Sequence, residues 1–145
     1  MSDKKVMVLV GLLSVSQLLL GAAGYYVSDG ETKIGEWNSN ITQTIEKGEA
    51  DNIPIVMVGT AFGCTICANF KASILPNQKF KDWVASSSYY FLHAYSGSGW
   101  WTTAELKKFI DIVGNGGLPR IGGYWKKKDG TIVSKSFTGG GVSVD

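Results

Sequence analysis

Apolar residues fall along this chain in distinct rhythms, and each rhythm predicts a different element. From Val6 to Val27, "VMVLVGLLSVSQLLLGAAGYYV", the run carries no charge, and only Ser14, Ser16 and Gln17 are clearly polar. At about 1.5 Å per helical residue, such a run can just cross a bilayer core of roughly 30 Å. In "KIGEWNSNITQTIEKGEADN", Ile34, Trp37, Ile41 and Ile45 recur at spacings of three and four, which predicts an amphipathic helix lying on a sheet. "IVMVGTAF", after Pro54, and "YYFLHAYS" are nearly unbroken apolar and β-branched runs, the pattern of strands buried on both faces.

Between those strands, "CANFKASILPNQKFKDWVASS" has helical character, is interrupted near Pro76, and resumes with Phe80, Trp83 and Val84. "TTAELKKFIDIVG" predicts a helix opened by Thr103 or its neighbour and closed by Gly114. "GLPRIGGYWKKKDGTIVSKSFTGG" predicts a hairpin turning at Asp129-Gly130. Parallel strands joined by helices and followed by a hairpin give an α/β fold, a mixed sheet flanked by helices.

With 145 residues the chain is too short for two comfortable domains. Residues 1–27 form the apolar segment, 28–35 a polar, turn-rich linker, and 36–145 the domain. Two readings of the apolar segment export that domain. As an uncleaved anchor, it leaves Lys4 and Lys5 in the cytoplasm and Tyr25-Tyr26 at the far interface of the membrane. As a signal peptide, it is cleaved near Gly21-Ala22-Ala23. A third reading buries it against neighbours in a larger assembly. The expected location is extracytoplasmic, membrane-anchored or secreted, with a component of a large assembly or virion as the alternative.

Fourteen Lys and Arg against twelve Asp and Glu leave a net charge of +2, far from the basic excess of a nucleic-acid binder. Lys126-Lys127-Lys128 reads as a solvated hairpin tip. Trp100-Trp101, after "SGSG", and Tyr124-Trp125 read mainly as core filling, with presentation to a partner as the second reading.

The only cysteines, Cys64 and Cys67, lie in "GTAFGCTICANFK", where the first strand meets its helix. At a helix start, backbone N–H groups and the helix dipole stabilise negative charge on the first sulfur. Cys64 is then the expected thiolate, with a pKa below the free value of about 8.5, and Cys67 the resolving thiol. A zinc site needs four ligands, and one chain offers two thiols and His93, so no metal is expected within a single chain. A static disulfide or a packed pair of small residues stays open.

From about Lys33 to Gly140 the chain resembles the thioredoxin superfamily, most closely its small exported members. "IPIVMVGTAFGCTICANFK" carries the strand, active-site turn and helix, and "GLPRIGGYWKKKDGTIV" a loop proline followed by the terminal hairpin. The resemblance implies that Pro119 follows a cis peptide beside the cysteines. It also implies that the backbone of Leu118 pairs with an extended substrate. Thiol-disulfide exchange with disulfide-bearing or dithiol proteins, without a bound cofactor, is the activity it implies. Departures are Gly63 for a Trp before the first cysteine, Thr65-Ile66 for Gly-Pro, and Val58 for the buried Asp that accepts the second thiol's proton. His93 stands where a lysine is usual and is the candidate proton relay. The family's closing helix is not visible after the hairpin. These departures keep a second expectation in view, a non-enzymatic structural or interaction module of a larger assembly.

Overall fold

The computed structural model describes residues 27–28, 30–96 and 104–139. Six strands form one sheet. In chain order the elements are β1 (Val27–Ser28), β2 (Trp37–Asn38), α1 (Ile41–Asp51), β3 (Ile55–Ala61), α2 (Thr65–Ser73), α3 (Gln78–Ser86), β4 (Tyr90–Ser96), α4 (Ala104–Val113), β5 (Arg120–Lys126) and β6 (Ile132–Thr138). Across the sheet the order is β1-β2-β4-β3-β5-β6. The first four neighbours run parallel, β5 is antiparallel to β3, and β6 is antiparallel to β5. The expected mixed sheet flanked by helices is what forms.

Strand alternation divides the core into two layers. Ile55 and Met57 of β3, with Leu92 and Ala94 of β4, face α1 and α4, where Ile41, Phe109 and Val113 meet them. Val58 of β3 and Phe91 of β4 face α2 and α3 and pack with Trp37, Phe70 and Val84. Helices on both faces account for the unbroken apolar runs in β3 and β4.

The helix predicted from Ile34, Trp37, Ile41 and Ile45 begins only at Ile41. Asn40 caps it, its side chain accepting from Gln43 N at 2.9 Å, and Asn52 ends it at φ 55°. Trp37 instead pairs with Phe91 as a strand residue, and Ile34 bridges to Tyr90. Two features override the helical spacing. Gly35 turns the chain at φ 70°, and buried Asn38 binds the carbonyls of Lys33, Glu36 and Phe91 through its side-chain NH₂. The expected linker also lies against the domain, since Thr32 is buried and both its N–H and hydroxyl donate to Gln43 Oε1 at 2.8 Å.

Two phenols strap α1 to the sheet. The Tyr90 hydroxyl donates to Asp51 and the Tyr124 hydroxyl to Glu49. Burial, reinforced by the adjacent carboxylate, pushes each phenol up to about 12. The hairpin closes as expected: Lys127 N donates to Thr131 O, Gly130 sits at φ 84°, and Asp129 Oδ1 accepts from Thr131 N. Of the three lysines there, Lys126 is drawn inward to Glu49 at 3.3 Å and Lys127 lies over the Trp125 ring, while Lys128 stays solvated.

Gly114 closes α4 at φ 82°, donating to Ile110 O. The anchor or signal reading of residues 6–27 falls outside the described residues but for Val27, as do Thr103, Trp100-Trp101 and the chain beyond Gly139. No helix among the described residues is long and apolar enough to cross a membrane. The last element among them is β6.

Candidate functional site

Strand β3 ends at Ala61, and the chain turns through Phe62 and Gly63 into α2. Gly63 sits at φ 76°, a left-handed backbone that a side chain would strain, which accounts for a glycine at this position. Cys64 is the N-cap of α2, with extended backbone at φ −86° and ψ 103°. Its sulfur accepts from the N–H of Cys67 at 3.2 Å, and its carbonyl starts the helix by accepting from Ala68 N at 3.0 Å. A sulfur thus occupies the place where an Asp, Ser or Asn oxygen usually caps a helix. No acidic side chain stands in the first turn to oppose negative charge there.

Cys64 and Cys67 are joined in a disulfide, with Cα atoms 5.2 Å apart. Their exposure differs, and so does the chemistry open to each. Cys64 is half-buried, whereas Cys67 is fully buried, one turn before Phe70 on the inner side of α2. The residues flanking the outer sulfur in sequence include two exposed apolar side chains, Phe62 at 70% and Ile66 at 51%. Among the described residues no three His, Cys, Asp or Glu side chains cluster as metal ligands.

Helix α2 runs back over the sheet from the end of β3, so Cys67 lies toward that end, where Thr60 is found. In register, Val58 of β3 pairs with His93 of β4. Val58 leaves this position without a carboxylate. His93 is buried, and its Nε2 meets Thr60 Oγ1 at 2.8 Å. Burial, with a smaller contribution from the Lys71 ammonium, pulls its pKa down to about 4. The imidazole is therefore neutral at pH 7. Thr60 was not singled out from the sequence, although a lone hydroxyl two positions past Val58 in an apolar strand is a readable signal.

The Leu118–Pro119 peptide is cis, as the resemblance implies. Because Gly59 pairs with Arg120, Pro119 stands level with Thr60, at the same end of the sheet as the cysteines. Pro119 is fully buried and its carbonyl accepts from Gly139 N at 2.7 Å. Leu118 is half-buried, and neither of its main-chain groups bonds a described residue. The fold therefore brings Cys64, Cys67, Leu118 and Pro119 to one end of the sheet, while His93 sits at the middle of β4 and reaches toward that end only through Thr60.

No protein-family model matches the chain, and no curated protein sequence does. Among solved structures, the chain is similar to the oxidoreductase DsbH, with a TM-score of 0.51 at 16% identity over 74% of this chain and 75% of that one. It is also similar to a thioredoxin from Thermus thermophilus, with a TM-score of 0.52 at 13% identity over 72% and 75%. At these identities the likeness establishes the fold: the chain has a thioredoxin-like fold carrying a C-x-x-C disulfide.

Proposed function

We propose that the chain exchanges disulfides with protein partners through Cys64 and Cys67. The observation that carries this reading is the Cys67 N–H donated to Cys64 Sγ at the start of α2. A thiolate accepts the same bond more strongly than a disulfide sulfur, so the helix start favours the reactive form of Cys64.

In the reducing direction, the Cys64 thiolate attacks one sulfur of a partner's disulfide. The partner's S–S bond breaks, a mixed disulfide with Cys64 forms, and the departing thiolate takes a proton from water. Cys67, deprotonated, then attacks Cys64 Sγ, which closes the Cys64–Cys67 disulfide and releases the partner's second sulfur as a thiolate. Two electrons pass from the pair to the partner, and a second dithiol protein returns them by the same exchange run backwards. The main-chain groups of Leu118, which bond no described residue, and the bend at Pro119 suit an extended partner segment laid beside Cys64. We assign His93 the passing of the Cys67 proton along Thr60 Oγ1. A neutral imidazole of low basicity suits brief transfer better than storage of that proton.

We place this chemistry outside the cytoplasm, with residues 6–27 as an anchor or a cleaved signal. A second reading, a structural module of a larger assembly, draws on Val58 in place of a carboxylate and on the exposed apolar residues of β6. Equilibration of the full chain in graded glutathione buffers, read by alkylation and mass, decides between the two readings. A potential of roughly −120 to −270 mV is expected for an exchanging pair. A disulfide that resists reduction below about −300 mV is a staple and favours the module.

A further inference from the structure

Building on the exchange reading, we propose that Arg120 is the positioning residue of the loop that presents Leu118 to the partner, acting from the face of the sheet opposite the cysteines. Residues 114–119, "GNGGLP", have little with which to hold their own shape. Three of the six are glycines, and Asn115 is exposed. The bonds at the ends of the segment are Gly114 N to Ile110 O and Gly139 N to Pro119 O. A chain this rich in glycine otherwise samples many conformations, and ordering it costs entropy.

Arg120 supplies what the loop lacks. Alternation along β5 puts its side chain on the α4 face, the face of Tyr124, while the cysteines lie on the other. Its Nε donates to Val113 O, the last carbonyl of α4, at 2.8 Å, and one terminal nitrogen donates to Ser136 Oγ of β6 at 2.9 Å. The guanidinium plane lies directly under the loop. A methyl built on Gly114 would stand 3.1 Å from one terminal nitrogen, and one built on Gly116 2.8 Å from the other. The loop thus lies close on the guanidinium: a side chain at Gly116 would push the guanidinium tip aside, and Gly114 also sits in a left-handed backbone at φ 82°. Lower in the loop, Thr138 of β6 donates to the Gly117 carbonyl at 3.4 Å. A planar, always-charged group with a fixed fork of donors suits this task, and an ammonium cannot bridge a helix end and a strand in the same way.

Leu118 and Pro119 follow directly on the stretch that Arg120 braces. Loss of the guanidinium frees the loop, so a partner must order it on binding, and affinity falls while the sulfur chemistry is unchanged. The test uses the reduced full chain and its Arg120→Met, Arg120→Lys and Gly116→Ala variants. Two oxidants are compared: an uncharged peptide with a single disulfide, and dithiobis-nitrobenzoate, which is too small to need the loop.

The expected result is a KM for the peptide raised roughly tenfold in Arg120→Met, the scale of lost charge-assisted hydrogen bonds, with kcat nearly unchanged. Arg120→Lys and Gly116→Ala fall between this variant and the wild type, and the dithiobis-nitrobenzoate rate and pair potential do not move. Gly116→Ala, which leaves Arg120 in place and displaces only its tip, carries the test if Arg120→Met fails to fold. An unchanged peptide KM in the folded variants overturns the inference alone, as does an equal loss on both oxidants. A wild-type chain inert to both oxidants overturns the exchange reading and this inference with it.

Discussion

At the centre of the sheet, Ile55, Met57, Val58, Phe91 and Leu92 are at most 1% exposed, while on β6 Ile132, Val133 and Phe137 are 57%, 45% and 52% exposed. The two regions share one hydrogen-bonded sheet. What separates them is cover. Strands β3 and β4 carry α1 and α4 on one face and α2 and α3 on the other, so every side chain in their middle meets a helix. The hairpin has α4 against one face, through contacts such as Val113 over Gly122. On its other face, Val133 and Phe137 stand beside Ile121 and Trp125 at the sheet's edge. The candidate site lies where the two regions meet: β3 delivers the cysteines from the rigid half, and β5 delivers Pro119 from the lighter one. The sulfurs, set by the covered half, and a loop braced by Arg120 from the open one are thus drawn from different halves of the sheet.

The sharpest break of that comparison is a cavity in the rigid half. Phe91→Ala removes a ring packed against Trp37 and Trp83 and is expected to cost about 3–5 kcal/mol in a denaturant titration. A cost below about 1 kcal/mol would mean that the two-layer core is not what holds the domain together.

Next in size is the acid response of the same half. Unfolded, His93 takes a proton near pH 6.5; folded, it resists until about 4. Between these values the unfolded chain binds more protons, so stability falls as the pH drops through this window. The full penalty, about 3 kcal/mol, is reached below it. His93→Gln should flatten that slope, read from unfolding at pH 7 and pH 4.5, and an unchanged slope would assign the acid response to other groups. The same variant tests the relay, because an unaltered pH profile of peptide reduction would remove His93 from the chemistry.

Smallest is the expected effect on the hairpin. Phe137→Ser should change stability by no more than about 0.5 kcal/mol, as at other exposed positions. A loss of 2 kcal/mol or more would show that this face is covered in solution.

Which parts of this were legible in the sequence follows from how far each signal reaches along the chain. Strands β3 and β4 declared themselves because burial on both faces leaves continuous apolar runs. Gly114 and the Asp129-Gly130 turn declared themselves because a left-handed backbone needs particular residues locally. Trp37 misled, since helical spacing is a pattern of four residues, whereas its strand is set by Asn38 binding the Phe91 carbonyl fifty-three positions away. Cys64 and Cys67 were readable from their spacing where a strand meets a helix, and Pro119 by resemblance. Thr60 offered a signal, a lone hydroxyl in an apolar strand, but its partner His93 and Arg120's partners Val113 and Ser136 come into reach only once the sheet has its register.

The cap of α2 has a thermodynamic corollary. In the proposed exchange the sulfur that caps α2 also carries the electrons, so the two equilibria are linked. Whatever steadies the first turn of α2 when Cys64 is charged favours the dithiol over the disulfide by the same free energy. A residue that frays this turn, without touching either sulfur, would make the pair a weaker oxidant. In this fold the redox poise of the cysteines can be tuned through the strength of a helix start.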